Sequence, residues 1–138
     1  MVDMNAMNKP VIEEFRANNG KVGGNFEGVN LVLITTTGAK TRQPRTVPLV
    51  FTRDGARVII IASFGGAEHH PPWFLNLSKT PELHVELPDG ESWDGKAIIL
   101  AEPERSEQFR KMAGVMPFFN EYQARTDRVI PVIALTRG

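Results

Sequence analysis

Residues able to bind an anion are concentrated in one short polar bend of the chain. Lys40, Arg42 and Arg45 supply three positive charges, and Thr41 and Gln43 add neutral hydrogen-bonding groups between them. Guanidinium and ammonium groups, together with backbone N–H groups, are common protein partners of phosphate and carboxylate. The bend, residues 38–45 and called the anion bend below, therefore predicts a site for an anionic tail. Taken alone, the pattern also fits a solvated hairpin.

The start of the anion bend is similar to the end of a phosphate-binding P-loop but does not satisfy that motif. A P-loop needs Gly, Lys and Ser or Thr in direct succession at the start of a helix. Ala39 separates Gly38 from Lys40, and the segment joins two predicted strands. We therefore expect no P-loop nucleotidase.

A second candidate site is the glycine loop, residues 63–66, with the sequence Ser63-Phe64-Gly65-Gly66 directly after an apolar run. Adjacent glycines allow a ligand to approach the backbone closely and can orient amide N–H groups toward it. A Gly-Gly pair also marks many ordinary turns, so the loop alone does not establish a site.

A third candidate is an aromatic cluster near the C-terminus, with Met116, Phe118, Phe119 and Tyr122, the chain's one tyrosine. A thioether, two rings and a hydroxyl could line a pocket for a flat, apolar substrate, or could anchor a helix to the core. No Ser-His-Asp order, carboxylate pair or activated lysine supports hydrolysis. An enzyme built on this chain would take its reactivity from a cofactor.

The composition excludes several functional classes. The chain has 138 residues with 16 Lys and Arg against 16 Asp and Glu, so it lacks the basic character of a general nucleic-acid binder. It contains no cysteine, and the spacing of His69, His70 and His84 matches no zinc motif, so we expect no metal site. No apolar run approaches the ~20 residues of a membrane span, and no export signal is evident. We expect a cytoplasmic protein.

The elements that must position these residues are mostly strands. Hydrophobic periodicity and turn residues predict an N-terminal helix, a short central helix and two later helices. They predict strands over residues 31–37, 46–52, 57–63, 83–87, 92–101 and 129–135. This order does not alternate strand with helix, which argues against a doubly wound nucleotide fold. It favours a mainly β, α+β fold: a small barrel of about six mostly antiparallel strands with helices.

The predicted domain organisation is an N-terminal helix and linker over residues 1–24, followed by one cofactor-binding domain over residues 25–138. The helix is predicted over residues 10–19, with Asn8 as its cap and Gly20 as its stop. Pro48 cannot donate to a sheet, so the second strand is expected at an edge or a bulge.

Several segments together resemble the deazaflavin-dependent nitroreductase family, small split-barrel reductases that use coenzyme F420. The resemblance covers roughly residues 24–135 in consistent order. The matching segments are Leu33-Ile34-Thr35-Thr36-Thr37-Gly38-Ala39-Lys40-Thr41, Gln43-Pro44-Arg45, Pro48-Leu49, Ala62-Ser63-Phe64-Gly65-Gly66-Ala67, Pro72-Trp73-Phe74-Leu75-Asn76-Leu77, Tyr122-Gln123, Thr126, Arg128 and Ile130-Pro131-Val132.

The resemblance implies a split β-barrel, similar to FMN-binding split barrels, with the deazaflavin in a groove and its acidic tail at the anion bend. It also implies the roles of individual residues, with Tyr122 as the catalytic residue, a proton donor or oxyanion partner. The implied cofactor-binding residues are Ala39, Lys40, Thr41, Gln43, Pro44, Arg45, Pro48, Ser63, Phe64, Gly65, Gly66, Trp73 and Asn76. The implied substrate pocket consists of Met116, Phe119 and Tyr122.

The implied reaction is hydride transfer from reduced deazaflavin to an electron-poor substrate: an activated C=C of an enone or lactone, a quinone, or a nitroaromatic. Some nitroreducing relatives carry tyrosines where this chain has Met116 and Phe119, and some have lysine where it has Phe64. The pocket is therefore more apolar, which favours activated C=C bonds over nitro groups.

Two alternatives remain open. The same barrel could bind FMN, whose single phosphate would occupy the anion bend, although three cations favour a longer acidic tail. The chain could also be a non-enzymatic binding protein that sequesters a cofactor or an apolar ligand. We expect a small planar partner, no nucleic acid and no integral membrane segment. A monomer is favoured, with a dimer as the alternative.

Overall fold

The structure, a computed structural model, describes residues 4–23 and 29–138, with backbone alone for residues 4–7. The predicted boundary between residues 24 and 25 lies outside the described residues. The helices are α1 (Met4–Ala17), α2 (Pro72–Lys79), α3 (Glu104–Val115) and α4 (Phe118–Ala124). The strands are β1 (Leu31–Thr37), β2 (Pro44–Val50), β3 (Thr52–Asp54), β4 (Arg57–Ile61), β5 (Glu82–Glu86), β6 (Ser92–Ile99) and β7 (Val132–Arg137).

The seven strands of the described residues form one antiparallel sheet in the order β2-β1-β5-β6-β7-β4-β3. β2 and β3 are its two edges, yet only Phe51 separates them along the chain. The sheet must therefore curl until its edges meet at Phe51, which confirms the predicted barrel-like, mainly β fold. The count is seven because Phe51 divides the strand predicted over residues 46–52 into β2 and β3.

Strands β1, β4 and β7 contain apolar runs because the structure covers both of their faces, whereas β5 and β6 alternate with exposed residues. In β1, Val32 and Ile34 belong to an interior cluster, whereas Leu31 and Leu33 pack on Phe15 of α1. The same alternation divides β4 between the interior cluster and a second cluster against α3 and α4. Each buried aliphatic side chain removed from water contributes about 1.5–3 kcal/mol, so this double coverage accounts for much of the stability.

The N-terminal helix begins earlier than its sequence pattern predicts. It starts at Met4 and continues through Pro10, so Asn8 lies inside the helix and is not its cap. The prediction treated Pro10 as a start signal, but a proline can also occupy a helix interior at the loss of one hydrogen bond. The helix ends at Ala17, two residues before the predicted end, because the chain already turns over residues 18–20. Gly20 follows the helix as predicted, with φ +90°, and a Cβ there would approach Pro88 to 2.2 Å.

The edge position of Pro48 and the turn at Asp54-Gly55 are as the sequence predicts. Pro48 lies in the edge strand β2, opposite Leu33, where the missing N–H is tolerated. Asp54-Gly55 turns β3 into β4, as predicted. No helix of the described residues is both long and apolar enough to cross a membrane.

Candidate functional site

The anion bend is a closed turn between β1 and β2. The Gly38 N–H donates to the Gln43 carbonyl at 2.8 Å, and the Arg42 N–H donates back to the Gly38 carbonyl at 3.0 Å. Arg42 adopts a left-handed conformation with φ 61°, which costs a non-glycine residue about 1–2 kcal/mol. The bend therefore holds a specific shape rather than that of a loose hairpin.

Side chains of helix α2 hold the backbone of the anion bend. The buried side chain of Asn76 accepts a hydrogen bond from the Ala39 N–H at 2.9 Å and donates to the Thr36 hydroxyl at 3.1 Å. Lys79 donates to the Ala39 carbonyl at 2.8 Å. The N–H and the carbonyl of Ala39 are thereby both hydrogen-bonded to side chains of α2. The side chains of the bend remain for other partners.

The cations of the anion bend form no ion pair with the carboxylates of the described residues. Lys40, Arg42 and Arg45 are exposed, and the ion pairs that these residues of the structure form all involve other cations. Arg42 donates to the Thr80 hydroxyl at 3.0 Å, and Lys79 adds a fourth positive charge beside them. Four cations without a carboxylate partner create a local positive potential in a chain of zero net charge.

The glycine loop is a strained turn. Phe64, Gly65 and Gly66 have φ values of 47°, 64° and 82°, three left-handed residues in succession. The Gly66 N–H donates to the Ser63 carbonyl at 2.9 Å, and the Ala67 N–H donates to the Phe64 carbonyl at 3.1 Å. Gly65 and Gly66 adopt these values without strain, whereas the left-handed conformation costs Phe64 about 1–2 kcal/mol, so this residue must be held by its surroundings.

Arg128, in the segment between α4 and β7, holds the residues on both sides of the glycine loop. Its guanidinium donates to the carbonyl oxygens of Ser63 at 2.7 Å, Ala67 at 2.8 Å and Ala62 at 3.2 Å. A further contact of 3.2 Å joins Nη1 to Nδ1 of His70. Burial lowers the pKa of Arg128, but a guanidinium stays charged in proteins. Arg128 thus bridges the two ends of the loop.

The glycine loop packs directly on the backbone of α4, the helix that carries most of the third candidate site. A Cβ on Gly66 would lie 2.6 Å from the Tyr122 carbonyl oxygen and 3.1 Å from Cβ of Arg125. Only a glycine fits this approach, and its φ of +82° also favours glycine. The glycine loop and the Tyr122 backbone are therefore in direct contact.

Aromatic side chains surround Tyr122. Its partly buried ring lies 5.4 Å from the Phe118 ring and 5.9 Å from the Phe119 ring, centroid to centroid. Phe118 is 37% exposed and Phe64 is 42% exposed, whereas Phe119 is only 2% exposed. Phe119 therefore supports Tyr122 from the core, and Phe118, which the predicted pocket omitted, is on the accessible side. Partly buried Met116 packs on the same cluster.

Two residues predicted to contact a cofactor are instead buried in the protein. Trp73 is 7% exposed and belongs to the interior cluster, and Asn76 is 7% exposed with both ends of its amide hydrogen-bonded. Their role as cofactor-binding residues stays a prediction. Asn76 positions the anion bend, and Trp73 anchors α2 in the interior cluster. The other predicted residues of the bend and the loop keep accessible surface, apart from the buried Ser63 and Gly66.

Helix α2 also sets the distance between the two parts of the site. His70 and Pro71 precede its first turn, on the side of the glycine loop, and Lys79 ends it at the anion bend. Eight residues of helix span about 12 Å, so the two parts suit the two ends of an elongated ligand.

The sequence interpretation missed two functional candidates, Arg128 and Lys79. Arg128 was recognised only as part of a matching segment, and Lys79 carried no motif. The available signals were positions in the chain: Lys79 in the last turn of α2, and Arg128 just after the aromatic cluster. Among the described residues, no group of three His, Asp or Glu side chains is placed to hold a metal ion.

Comparison with known proteins identifies a common family. A family model described as F420H(2)-dependent quinone reductase matches residues 8–137. An F420H(2)-dependent quinone reductase of Mycobacterium tuberculosis is 35% identical over 126 residues, which cover 89% of this chain and 85% of that relative.

Solved structures agree with the family match. An F420-H2 dependent reductase, FDR-A, has a TM-score of 0.70 and 36% identity, with 76% of this chain and 92% of that chain covered. A structure described as a domain-swapped dimer has a TM-score of 0.73 and 31% identity, with 92% and 95% covered. These findings confirm the predicted split-barrel fold, coenzyme F420 and the predicted enzyme class, an F420-dependent oxidoreductase. The chain belongs to the F420H(2)-dependent quinone reductase family.

Proposed function

We propose that this chain reduces small, planar, electron-poor acceptors with F420H2, and that quinones are its main acceptor class. The observation that supports the proposal most is the packing of Gly66 on the Tyr122 backbone, which brings the glycine loop against the helix that carries the aromatic cluster. Family membership supports the cofactor, and the relatives' names support quinones.

The residues present fit a cofactor that has an acidic tail and a planar ring. Lys40, Arg42 and Arg45 offer charge-assisted hydrogen bonds to phosphate or carboxylate, and Lys79 adds charge beside them. Gly65 has open space around the position of a Cβ, so its backbone leaves room for a ring to approach. These donors would hold the tail at one end of α2, and the glycine loop would hold the ring at the other.

The protein's own part in the reaction is positioning, exclusion of water and proton supply. When bound, the reduced cofactor supplies the hydride. Tyr122, or a water that it holds, donates a hydrogen bond and then a proton to the acceptor oxygen on which negative charge develops. A quinone that gains one hydride and one proton becomes the hydroquinone, which balances the two-electron reduction.

The accessible aromatic surface supports quinones over nitroaromatics. Phe118 presents an accessible apolar ring beside the Tyr122 ring, Phe64 of the glycine loop is also exposed, and Met116 can adapt to differently substituted rings. A quinone needs one donor at its developing oxyanion, which Tyr122 can supply. Enones and lactones have the same requirement, so we propose them as the second acceptor class.

The test is an acceptor screen under steady-state conditions with F420H2, monitored by the return of oxidised F420 absorbance. We expect a quinone to be reduced with a higher kcat/KM than an enone, and an enone with a higher value than a nitroaromatic. A preference for nitroaromatics would contradict the proposed acceptor class. Binding of F420 without reduction of any acceptor would instead favour a binding protein.

A further inference from the structure

We propose that Arg128 is the positioning residue of the glycine loop, fixing its conformation for the cofactor ring by bridging the chain before and after the loop. This inference rests on the proposed function, because the loop is the proposed ring site. It assigns a role to a side chain that is not expected to touch cofactor or substrate.

The pattern of hydrogen bonds carries the inference. Ala62 and Ser63 precede the left-handed turn, Ala67 follows it, and the same guanidinium binds the carbonyl oxygens of all three. The two hydrogen bonds inside the turn, from Gly66 and Ala67, close only its short span. Arg125 donates only to the Gly65 carbonyl within the turn, at 3.5 Å, so among the described residues Arg128 is the side chain that bonds the chain on both sides of the loop.

Arg128 is itself held in place by α4. The Gln123 side chain donates to the Arg128 carbonyl at 2.8 Å, and its oxygen accepts from the Ile130 N–H at 3.1 Å and from Arg105 at 3.1 Å. Gln123 follows Tyr122 directly in the chain. The network therefore joins the loop, Arg128 and the helix that carries the proposed proton donor.

The geometry requires a guanidinium rather than a positive charge alone. A planar fork with several N–H groups can reach three separate carbonyl oxygens and His70 together, whereas a lysine ammonium on a flexible stem cannot. Within the described residues Arg128 forms no ion pair with a carboxylate, so its carbonyl partners are its main stabilising contacts. Substitution with lysine separates the positioning role from the effect of charge.

The first experiment compares F420 affinity in Arg128→Lys, Arg128→Ala and Arg57→Ala by fluorescence titration. Arg57 is the matched control, because this partly buried arginine binds Asp54 and Glu104 at the β3–β4 hairpin, away from the loop. If the competent loop population falls to about a tenth, the dissociation constant rises about tenfold in both Arg128 variants. In Arg57→Ala it should stay within about twofold of the unsubstituted protein.

The second experiment measures hydrogen exchange without any ligand. We expect Arg128→Lys to raise amide exchange over residues 62–70, and to leave exchange in β1 and β5 unchanged. Millimolar guanidinium should restore both the protection and the F420 affinity of Arg128→Ala. A purely global loss of stability would raise exchange everywhere, and guanidinium would not correct it.

Two outcomes would overturn the inference: unchanged exchange over residues 62–70 in Arg128→Lys, or F420 affinity in that variant equal to that of Arg57→Ala. If the unsubstituted protein fails to bind F420, the proposed function fails. The exchange comparison still decides whether Arg128 positions the loop, so the two failures are distinguishable. If Arg128→Ala does not fold, Arg128→Lys carries the test.

Discussion

The side-chain oxygen of Asn76 accepts a 2.9 Å hydrogen bond from the Ala39 N–H, which joins the middle of α2 to the anion bend. The same amide donates to the Thr36 hydroxyl, on a side chain only 2% exposed. One buried side chain thereby connects the interior of the barrel with the proposed site for an acidic tail.

Asn76→Ala should weaken both stability and cofactor binding. It leaves the buried Thr36 hydroxyl and the Ala39 N–H without their partner, so we expect a loss of about 1–3 kcal/mol in the free energy of unfolding. Urea unfolding measures this loss. The matched control is Ser78→Ala on the same helix, where an exposed hydroxyl bonds the Phe74 carbonyl and the change should stay within about 0.5 kcal/mol. Equal losses would contradict the role of Asn76.

Gly66→Ala should be more damaging than Gly65→Ala. Both positions have positive φ, so alanine at either one is strained by about 1–2 kcal/mol. At Gly66 the new Cβ also overlaps the Tyr122 carbonyl, whereas at Gly65 it meets open space. Urea unfolding and F420 titration of the pair measure the difference. Equal stability of the two variants would mean that the loop does not pack on α4 as described.

Tyr122→Phe should preserve folding and F420 affinity but lower kcat for quinone reduction about a hundredfold, the usual scale for a lost proton donor. The ring packing on Phe118 and Phe119 is retained in this variant. Steady-state kinetics in H₂O and D₂O measure the effect. Unchanged turnover together with an unchanged solvent isotope effect would remove Tyr122 from the proposed proton transfer.

The lowered pKa of His70 predicts that the stability of the protein depends on pH. Burial, followed by the nearby Arg128 charge, lowers the pKa of His70 from its model-peptide value of 6.5. His70 therefore binds a proton more readily in the unfolded chain than in the folded protein. The free energy of unfolding should fall as the pH drops from about 6.5 toward the lower pKa of His70 in the folded protein. His70→Asn keeps an acceptor for Arg128 but cannot titrate, so its urea midpoint should vary less with pH in this window. An equally steep dependence in the variant would assign the effect to other groups.

Much of the fold could be predicted because its signals are local. The apolar run of β1 and the Asp54-Gly55 turn determine strands and a hairpin over a few residues. The break at Phe51 could not be predicted, because the bend depends on where the two edges of the sheet meet. The start of α1 was missed because Pro10 fits a first turn as well as an interior position.

The site was predicted as separate pieces, and the contacts that join them were not. Arg128 lies 61 to 66 residues from the carbonyls that it binds, and no local pattern encodes such a pairing. The burial of Phe119 and the exposure of Phe118 depend on which face of α4 meets the core. Residue type alone could not distinguish them.

The most direct test of the central claim is a fluorescence titration of the purified protein with oxidised F420, beside FMN and repeated with Lys40→Ala, Arg45→Ala and Arg110→Ala. Arg110 is an exposed cation of α3 and controls for the loss of charge alone. Loss of a charge-assisted contact should raise the F420 dissociation constant about tenfold in the two anion-bend variants and leave Arg110→Ala near the unsubstituted value. Preference for FMN, or equal affinities in all three variants, would contradict an F420-dependent reductase that holds its cofactor at the anion bend.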